Sequence, residues 1–447
     1  MRKVTSVFLV LVLALSTLTV VIASRPDQMY DEWMTLEERR ALDADIDATH
    51  GEGFAANERE AMRLLDSIHL GFGHTRTGDD TFPDYFGGMY IGEDGRAVVL
   101  IVESMYDEAM TYSNIGSLID QGVTYRLVES SYAKLREIQA VIGAALSESI
   151  EKRRNSEPWC VYAYNANLIS VRQRNNQVIV RLAVYNEEMI AGFRQHVYDS
   201  PLIIFEYGAP LYIGGPPADA PFHYYDIYGY MSNGSNGYID PEMAASFTVS
   251  PGMRLYRNFS MLTTPHGSLG FRVYCTLTGT LGIVSSGHVF RTVVGGGVHE
   301  WANPTPFGTV VRYRISGTMD AAFIRTGPSV NALNTLPGGQ MLSPNVPHHI
   351  YENMQVSMAG GRTGGTVSGR VTDLNAHGRG TCHSTGFSND FTRVIMTNIG
   401  TNGGDSGGVV FHTNNLQTTG IVAGGNRDQM FFVTARDVMI ALNVSRY

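Results

Sequence analysis

Apolar residues recur at helical spacing among many charges from Asp31 to about Ala48 and from Asn57 to about Leu70, which predicts two amphipathic helices. The runs Phe86 to Ile91 and Ala97 to Val102 flank Gly92-Glu93-Asp94-Gly95-Arg96 and predict a hairpin. A strand over Val123 to Val128 follows, then a helix over Tyr132 to Ile150 with Leu135, Ile138, Ile142 and Leu146 on one side. The pattern repeats. Leu168 to Val171, a turn at Arg174-Asn175-Asn176, Val178 to Val184, a helix from Glu187 to about Val197 and a strand Leu202 to Glu206 make a second α+β unit. From about residue 250 the texture changes to short alternating or apolar runs separated by clusters such as Gly295-Gly296-Gly297 and Pro337-Gly338-Gly339, with one terminal helix. That is the pattern of an all-β double Greek-key barrel.

At the start, Arg2 and Lys3 precede an apolar run from Val4 to Ile22 and the small residues Ala23 and Ser24, the three regions of a secretory signal peptide. The run is long enough for a membrane anchor, but the small residues and the lack of positive charge after Arg25 favour cleavage. Residues 1–23 are thus expected to be removed, giving a secreted, extracellular product with no stable membrane association. Breakers at Gly214-Gly215-Pro216-Pro217 and Ser232-Asn233-Gly234-Ser235-Asn236-Gly237 mark a linker over 209–249. The 447 residues therefore divide into an α+β region, 24–208, and a β-rich region, 250–447. Charge divides the same way. From Pro251 onward 14 arginines stand against 8 acids, +6, which leaves −15 of the chain's −9 before it, and −17 once Arg2 and Lys3 are gone. Oppositely charged regions of one chain are expected to dock.

Candidate chemistry centres on Thr401-Asn402-Gly403-Gly404-Asp405-Ser406-Gly407-Gly408, followed by Val409-Val410-Phe411. A serine hydroxyl needs a base, an orienter behind the base and donors for the oxyanion that forms. Gly404 and Gly407 allow turn conformations that let the N–H groups of Gly404 and Ser406 converge beside the hydroxyl. By itself such a string is a common turn. Its surroundings carry more. Leu281 to Val284 reads as a strand ending in Ser285-Ser286-Gly287 and His288, the candidate base. Met319-Asp320-Ala321-Ala322-Phe323-Ile324 places one carboxylate in an apolar run, where it needs a partner such as an imidazole N–H. The order His288, Asp320, Ser406, with separations of 32 and 86 residues, is that of the chymotrypsin group.

The resemblance becomes specific in Ser268-Leu269-Gly270-Phe271, which resembles the start of bacterial streptogrisin and alpha-lytic endopeptidases. Gly361-Arg362-Thr363-Gly364 with Ser368-Gly369-Arg370-Val371 resembles their central hairpin, Thr397-Asn398-Ile399 their approach to the nucleophile, and Phe432 to Val444 their closing helix. Gly420-Ile421-Val422-Ala423-Gly424-Gly425 resembles the strand that binds substrate backbone. The resemblance implies a chymotrypsin-like serine endopeptidase without cofactor or metal, with Gly400, Thr401, Asn402, Ala423, Gly424 and Gly425 lining the substrate site. Residues 24–208 are similar, less specifically, to the pro-region of the same enzymes, which acts as folding template and inhibitor of its own protease. A β-barrel of high contact order folds slowly, so a docked template has a barrier to lower. Expected partners are polypeptide substrates and the pro-region, not nucleic acid, and the processed enzyme is expected to be a monomer.

The cysteines depart from the family. Val289 and Gly400 stand where its usual bridges would begin, and the β-rich region keeps only Cys275 and Cys382. These either pair, which would contribute about 3–5 kcal/mol, or remain as free thiols. Cys160 is expected to be unpaired. The relatives hold the carboxylate matching Asp405 with an arginine; Ala359 stands there, with Arg362 as a substitute. The histidines outside the triad, among them His348, His349, His377 and His383, lack spaced metal-site partners and are expected at the surface. With no carboxylate at the pocket base and glycines at its mouth, cleavage is expected after large apolar or aromatic residues. A catalytically silent binding protein and an esterase with the same triad are the alternative readings.

Overall fold

The computed structural model describes residues 34–73, 81–112, 115–152, 157–213, 247–256, 266–291, 294–300, 305–381 and 388–447. The expected signal segment, most of the linker and Cys382 lie outside them. The chain divides into two units, Met1–Asp45 and Ile46–Tyr447, and the second contains the α+β region from Ile46 onward together with the β-rich region.

Helices Leu36–His50 and Phe54–Gly71 form where the periodicity places them. The second buries Phe54, Glu58, Ala61, Leu65 and Ile68, positions three and four apart on one face. Strands Phe86–Ile91 and Ala97–Val102 pair as a hairpin, and Thr124–Val128 joins Ala97–Val102 in parallel. A parallel partner requires a crossover, made here by two short helices, Tyr106–Tyr112 and Ile115–Asp120, absent from the sequence reading. Helix Tyr132–Glu151 starts at Ser131, whose hydroxyl accepts from Lys134 N at 3.2 Å, and buries Leu135, Ile138, Ile142 and Leu146. The second unit repeats the plan. Ala166–Arg172 and Gln177–Leu182 form a hairpin, helix Glu187–His196 crosses over, and Ile203–Tyr207 pairs in parallel with Gln177–Leu182.

In the β-rich region six strands close on themselves. The order is Gln355–Gly360, Val409–His412, Thr418–Gly425, Met430–Thr434, Ser388–Thr397 and Gly365–Thr381, and the last pairs back to the first. A second sheet of eight strands runs from His266–Ser268 to Val444–Ser445, and its two end strands are not paired with each other among the described residues. One ring is therefore closed by pairing, and the other sheet is a curved partner with its own core around Leu255, Leu269, Ile283, Phe290 and Ile324.

The 17-residue strand Gly365–Thr381 joins the two regions. Up to Arg370 one edge pairs with Gln355–Gly360; beyond that the other edge stays paired with Ser388–Thr397, and Ala166–Arg172 takes the edge that Gln355–Gly360 leaves free, with Leu374↔Val171 and His377↔Ile169 in register. An unpaired edge would expose a row of N–H and C=O groups, so the added strands satisfy it. Asp373, fully buried, sits on this seam: Ser170 Oγ donates to it at 2.7 Å, and Arg181 and Arg172 lie 3.1 and 3.6 Å away. Burial alone would raise the Asp373 carboxyl, but the two guanidiniums and the hydroxyl outweigh it and hold it below the ordinary range.

Other contacts extend the seam. Glu58 is fully buried, accepts from Gln355 N at 2.8 Å and Asn414 Nδ2 at 3.2 Å, and lies 3.2 Å from His412. Glu352 accepts from Gln173 N at 2.7 Å and pairs with Arg174 at 3.2 Å. These ion pairs mostly set arginines of the acidic region against carboxylates of the basic one. Net charge thus misreads the contact; of the pairs across the seam, Glu93 with Arg370, at 2.5 Å and largely exposed, has the sense that net charge predicts.

Two predictions follow from the seam. Asp373→Ala removes one of the two carboxylates that pair with Arg181, leaving Glu206 at 3.3 Å, and is expected to lower the stability of the full chain by about 1.5–3 kcal/mol, against about 1 kcal/mol for Ser170→Ala. Urea midpoints read both, and an unchanged midpoint for Asp373→Ala would remove Asp373 from the docking account. The second concerns pH. Burial pushes Asp66, which accepts from the Tyr351 hydroxyl, up to about 6, and burial followed by Asp373 pushes Glu352 up to about 8. A raised carboxyl stabilises below its ordinary pKa and loses that contribution as pH rises through the folded value. Melting temperature should therefore fall from pH 6 to 8, and Glu352→Gln should flatten the fall; a melting temperature that climbs over this range contradicts the assignment.

Candidate active site

Strand Leu281–Ser285 runs straight into the short helix Gly287–Phe290, which carries His288. A Cβ at Gly287 would stand 2.8 to 3.0 Å from the backbone of Arg314 and Ala321, so only glycine lets the turn sit this close to its neighbours. Met319–Thr326 pairs antiparallel with Leu281–Ser285, Ser285 opposite Ala322, and this register brings Asp320 up beside the turn. Asp320, fully buried, accepts from His288 N at 2.7 Å through Oδ1, and its Oδ2 lies 2.5 Å from Nδ1. One carboxylate thus fixes both backbone and ring, leaving Nε2 as the free face of the imidazole. His288 Nε2 is buried and makes no hydrogen bond in the structure, so its contact with Ser406 is not formed.

Ser406 lies in a turn that packs on the same segment. Gly404 and Gly407 have φ of 109° and 85°, and a Cβ on Gly407 would meet Ser285 Oγ at 2.2 Å and Ser286 N at 2.7 Å. The turn's carbonyls face strand His266–Ser268: Ser268 N donates to Ser406 O and Ser268 Oγ to Gly404 O, both at 2.7 Å. Ser268 Oγ also accepts from Gly361 N at 2.7 Å. Among the described residues the N–H groups of Gly404 and Ser406 have no hydrogen-bond partner, although both residues are buried. Two unused donors in a buried turn are costly unless something arrives to accept from them.

Asp405 braces this arrangement. It accepts from Asn402 N, Arg362 N, Thr363 N and Thr363 Oγ1, at 2.9, 2.9, 2.8 and 2.6 Å. The expected role of the Arg362 side chain is therefore corrected: its main-chain N–H, with that of Thr363, holds the carboxylate. Three of the four donors are main-chain N–H groups that residue type does not encode, so the sequence could show only the Gly361-Arg362-Thr363-Gly364 turn, not its use. Thr363 and Ser268 are the site residues that sequence reading missed.

The other expected positions form two adjoining walls. Thr401 N donates to Asn426 O at 2.8 Å, and a Cβ at Gly400 would meet Arg427 O at 1.9 Å, so Gly400 and Thr401 lie directly against the end of strand Thr418–Gly425. Asn402 belongs to the Asp405 web. Ala423, Gly424 and Gly425 are buried, and Gly425 pairs with Tyr212 of the short strand Leu211–Tyr212, at the start of the linker just beyond the α+β region. The space a Cβ would need on Gly424 is taken by Tyr212 O, 2.2 Å away. Arg427 and Asp428 are exposed rather than turned into the walls.

The Cys275–Cys382 bridge is not formed. Cys275 is a free, buried thiol, and Cys382 lies outside the described residues. Arg312 Nη2 lies 2.9 Å from Cys275 Sγ, and the Thr278 hydroxyl, followed by the Leu277 N–H and the Arg312 guanidinium, draws the thiol down to about 7 against the effect of burial. The histidines also differ from expectation. His377 lies 2.8 Å from Asp390 and against Gly143 of helix Tyr132–Glu151, His412 is fully buried, and His349 stacks on His69 at 3.9 Å.

Residues 144–208 match a family described as the Pro-like C-terminal domain. No curated protein matches the chain. Among solved structures, Thermobifida fusca Protease A is 20% identical over 44% of this chain and 98% of its own, with a TM-score of 0.36. Cellulomonas bogoriensis chymotrypsin is 27% identical over 45% and 99%, at 0.35. A glutamic acid-specific serine protease is 20% identical over 44% and 100%, at 0.37.

Removing the brace tests the turn. Asp405→Ala leaves three N–H groups and a hydroxyl without their acceptor, at about 1–3 kcal/mol for each buried group that stays unpaired. A fall of several kcal/mol in unfolding free energy is expected, with a smaller loss in Thr363→Ala; equal stability of Asp405→Ala and the parent chain would show that the web does not hold the turn.

Proposed function

We propose that the chain is the precursor of a secreted serine endopeptidase. Ser406 is the nucleophile, His288 the general base and then general acid, and Asp320 the group that orients the imidazole and stabilises its charged form. Attack by Ser406 Oγ on a peptide carbonyl moves its proton to His288 Nε2 and places negative charge on the carbonyl oxygen. The N–H groups of Gly404 and Ser406 receive that charge. The protonated imidazole then protonates the leaving amine, and water repeats the sequence on the acyl-enzyme. The observation that carries this reading is a histidine oriented from behind by a buried carboxylate, packed beside a serine turn whose two N–H groups are unused.

Residues 24–208 act as the pro-region. They complete the free edge of Gly365–Thr381, and the first linker residues after them run over the strand proposed to hold substrate backbone, with Tyr212 paired to Gly425. A substrate strand needs the same backbone groups, so these residues inhibit by occupying them. Processing within 209–249 and removal of this region would open the site. The walls at Gly400–Asn402 and Ala423–Gly425 present no charged side chain, which supports cleavage after Phe, Tyr, Leu or Met.

Expressed in a secreting host, the full chain should yield a product that hydrolyses peptides after large apolar residues. Ser406→Ala and His288→Ala should each lower kcat by about a million-fold, and Asp320→Asn by about 10⁴-fold, with substrate affinity little changed. Near-parental turnover in any of the three would mean that the triad is misassigned. A peptide library cut mainly after Lys, Arg or Glu would overturn the specificity alone.

A further inference from the structure

A cavity of about 910 Å³ lies between helix Tyr132–Glu151 of the α+β region and the β-rich region, away from the Ser406 turn. Its volume is that of a small-molecule site. Four guanidiniums line it, Arg136 from the helix and Arg314, Arg393 and Arg436 from the β-rich region. Against them stand two lining carboxylates: Glu137, which is paired with Lys134 at 2.9 Å, and Asp437. Arg136 Nη1 is buried without a hydrogen bond, and neither Arg136 nor Arg314 has a side-chain partner among the described residues. A buried guanidinium nitrogen with no acceptor is costly, and its fork geometry suits a carboxylate or phosphate.

Two further features belong to the same wall. Asn375 and Arg393, on the facing strands Gly365–Thr381 and Ser388–Thr397, have φ of 50° and 65°, where the ladder between the strands shifts register. Left-handed backbone at a non-glycine residue costs about 1–2 kcal/mol and persists where the surroundings impose it. Here it accompanies an arginine that lines the cavity. Another part of the wall is aromatic: Phe82 meets Tyr132 edge-on at 4.7 Å and stacks on Phe86 at 5.4 Å.

We propose that this cavity binds a small organic anion, a carboxylate or phosphate monoester on a planar apolar body, with the arginines taking the head group and the aromatic wall the body. Because both regions supply the walls, the ligand binds the docked chain and stabilises docking by mass action. It thereby sets how readily the α+β region lets go.

The test is calorimetric titration of the full chain carrying Ser406→Ala, which keeps it in one piece whether or not Ser406 is a nucleophile. The probes are 1-naphthyl phosphate, 1-naphthoate, 1-naphthalenemethanol and inorganic phosphate. One site per chain is expected for either naphthyl anion, and the tighter of the two identifies the head group. The neutral alcohol and inorganic phosphate should bind at least about tenfold more weakly. Arg136→Ala and, separately, the exposed Arg314→Ala should weaken the anion about tenfold or more at unchanged melting temperature. Absence of binding by both naphthyl anions at about 1 mM, binding indifferent to both substitutions, or inorganic phosphate as tight as naphthyl phosphate would each overturn the proposal.

Discussion

A strand that runs on past its own barrel must find another partner for its edge. Gly365–Thr381 outruns its partner Gln355–Gly360 at Arg370, and the strand that meets the edge left free, Ala166–Arg172, comes from the other half of the chain. Much else follows from that pairing. It extends a closed ring into a sheet that carries Gln177–Leu182 and Ile203–Tyr207 as well, and it buries Asp373 between two arginines. It also fixes where the tail after Tyr207 must go. Leu211–Tyr212 lies beside Gly380–Thr381 on one side and Gly425 on the other, so edge completion and cover over the proposed substrate strand are one structural event.

The serine turn depends on a smaller network of the same kind, backbone groups satisfied from across the fold. Asp405 gathers four donors, and Ser268 gathers the carbonyls of Gly404 and Ser406. With the carbonyls pulled one way, the N–H groups of the same residues are left without partners. In the proposed reaction this is preorganisation: the cost of holding donors unsatisfied falls on folding, so none would be incurred when charge develops beside them. His288 is held by the same logic, since Asp320 binds its backbone and its ring together.

Much of this was legible in the sequence, and what was not has identifiable causes. Hairpin Phe86–Ile91 with Ala97–Val102 and helix Tyr132–Glu151 announce themselves because turn residues and a 3.6-residue period are local signals. The parallel pairing of Thr124–Val128 and the two helices that serve it are not local, and the short helix Ile115–Asp120 offers too few turns for a period to show. His288 stood out at the end of an apolar run, Asp320 as a carboxylate within one, and Ser406 in a glycine-rich turn ahead of one. Thr363 did not, because it reaches Asp405 from 42 residues away, through a backbone N–H that any residue would supply and a hydroxyl whose target lies outside its local sequence. Net charge misled for a different reason. It sums every charged group with equal weight, whereas the docking seam uses a few buried arginines such as Arg181 whose sign opposes the total.

The central claim, that Ser406 is an activated nucleophile covered by the chain's own N-terminal half, is tested most directly by covalent labelling. The full chain is secreted, allowed to process, and treated with a fluorophosphonate before and after separation of its halves, with the adduct located by mass spectrometry. The account predicts slow modification while Tyr212 lies on Gly425 and one adduct per chain on Ser406 once the α+β region has gone. A separated, folded β-rich half that leaves Ser406 unmodified would contradict it.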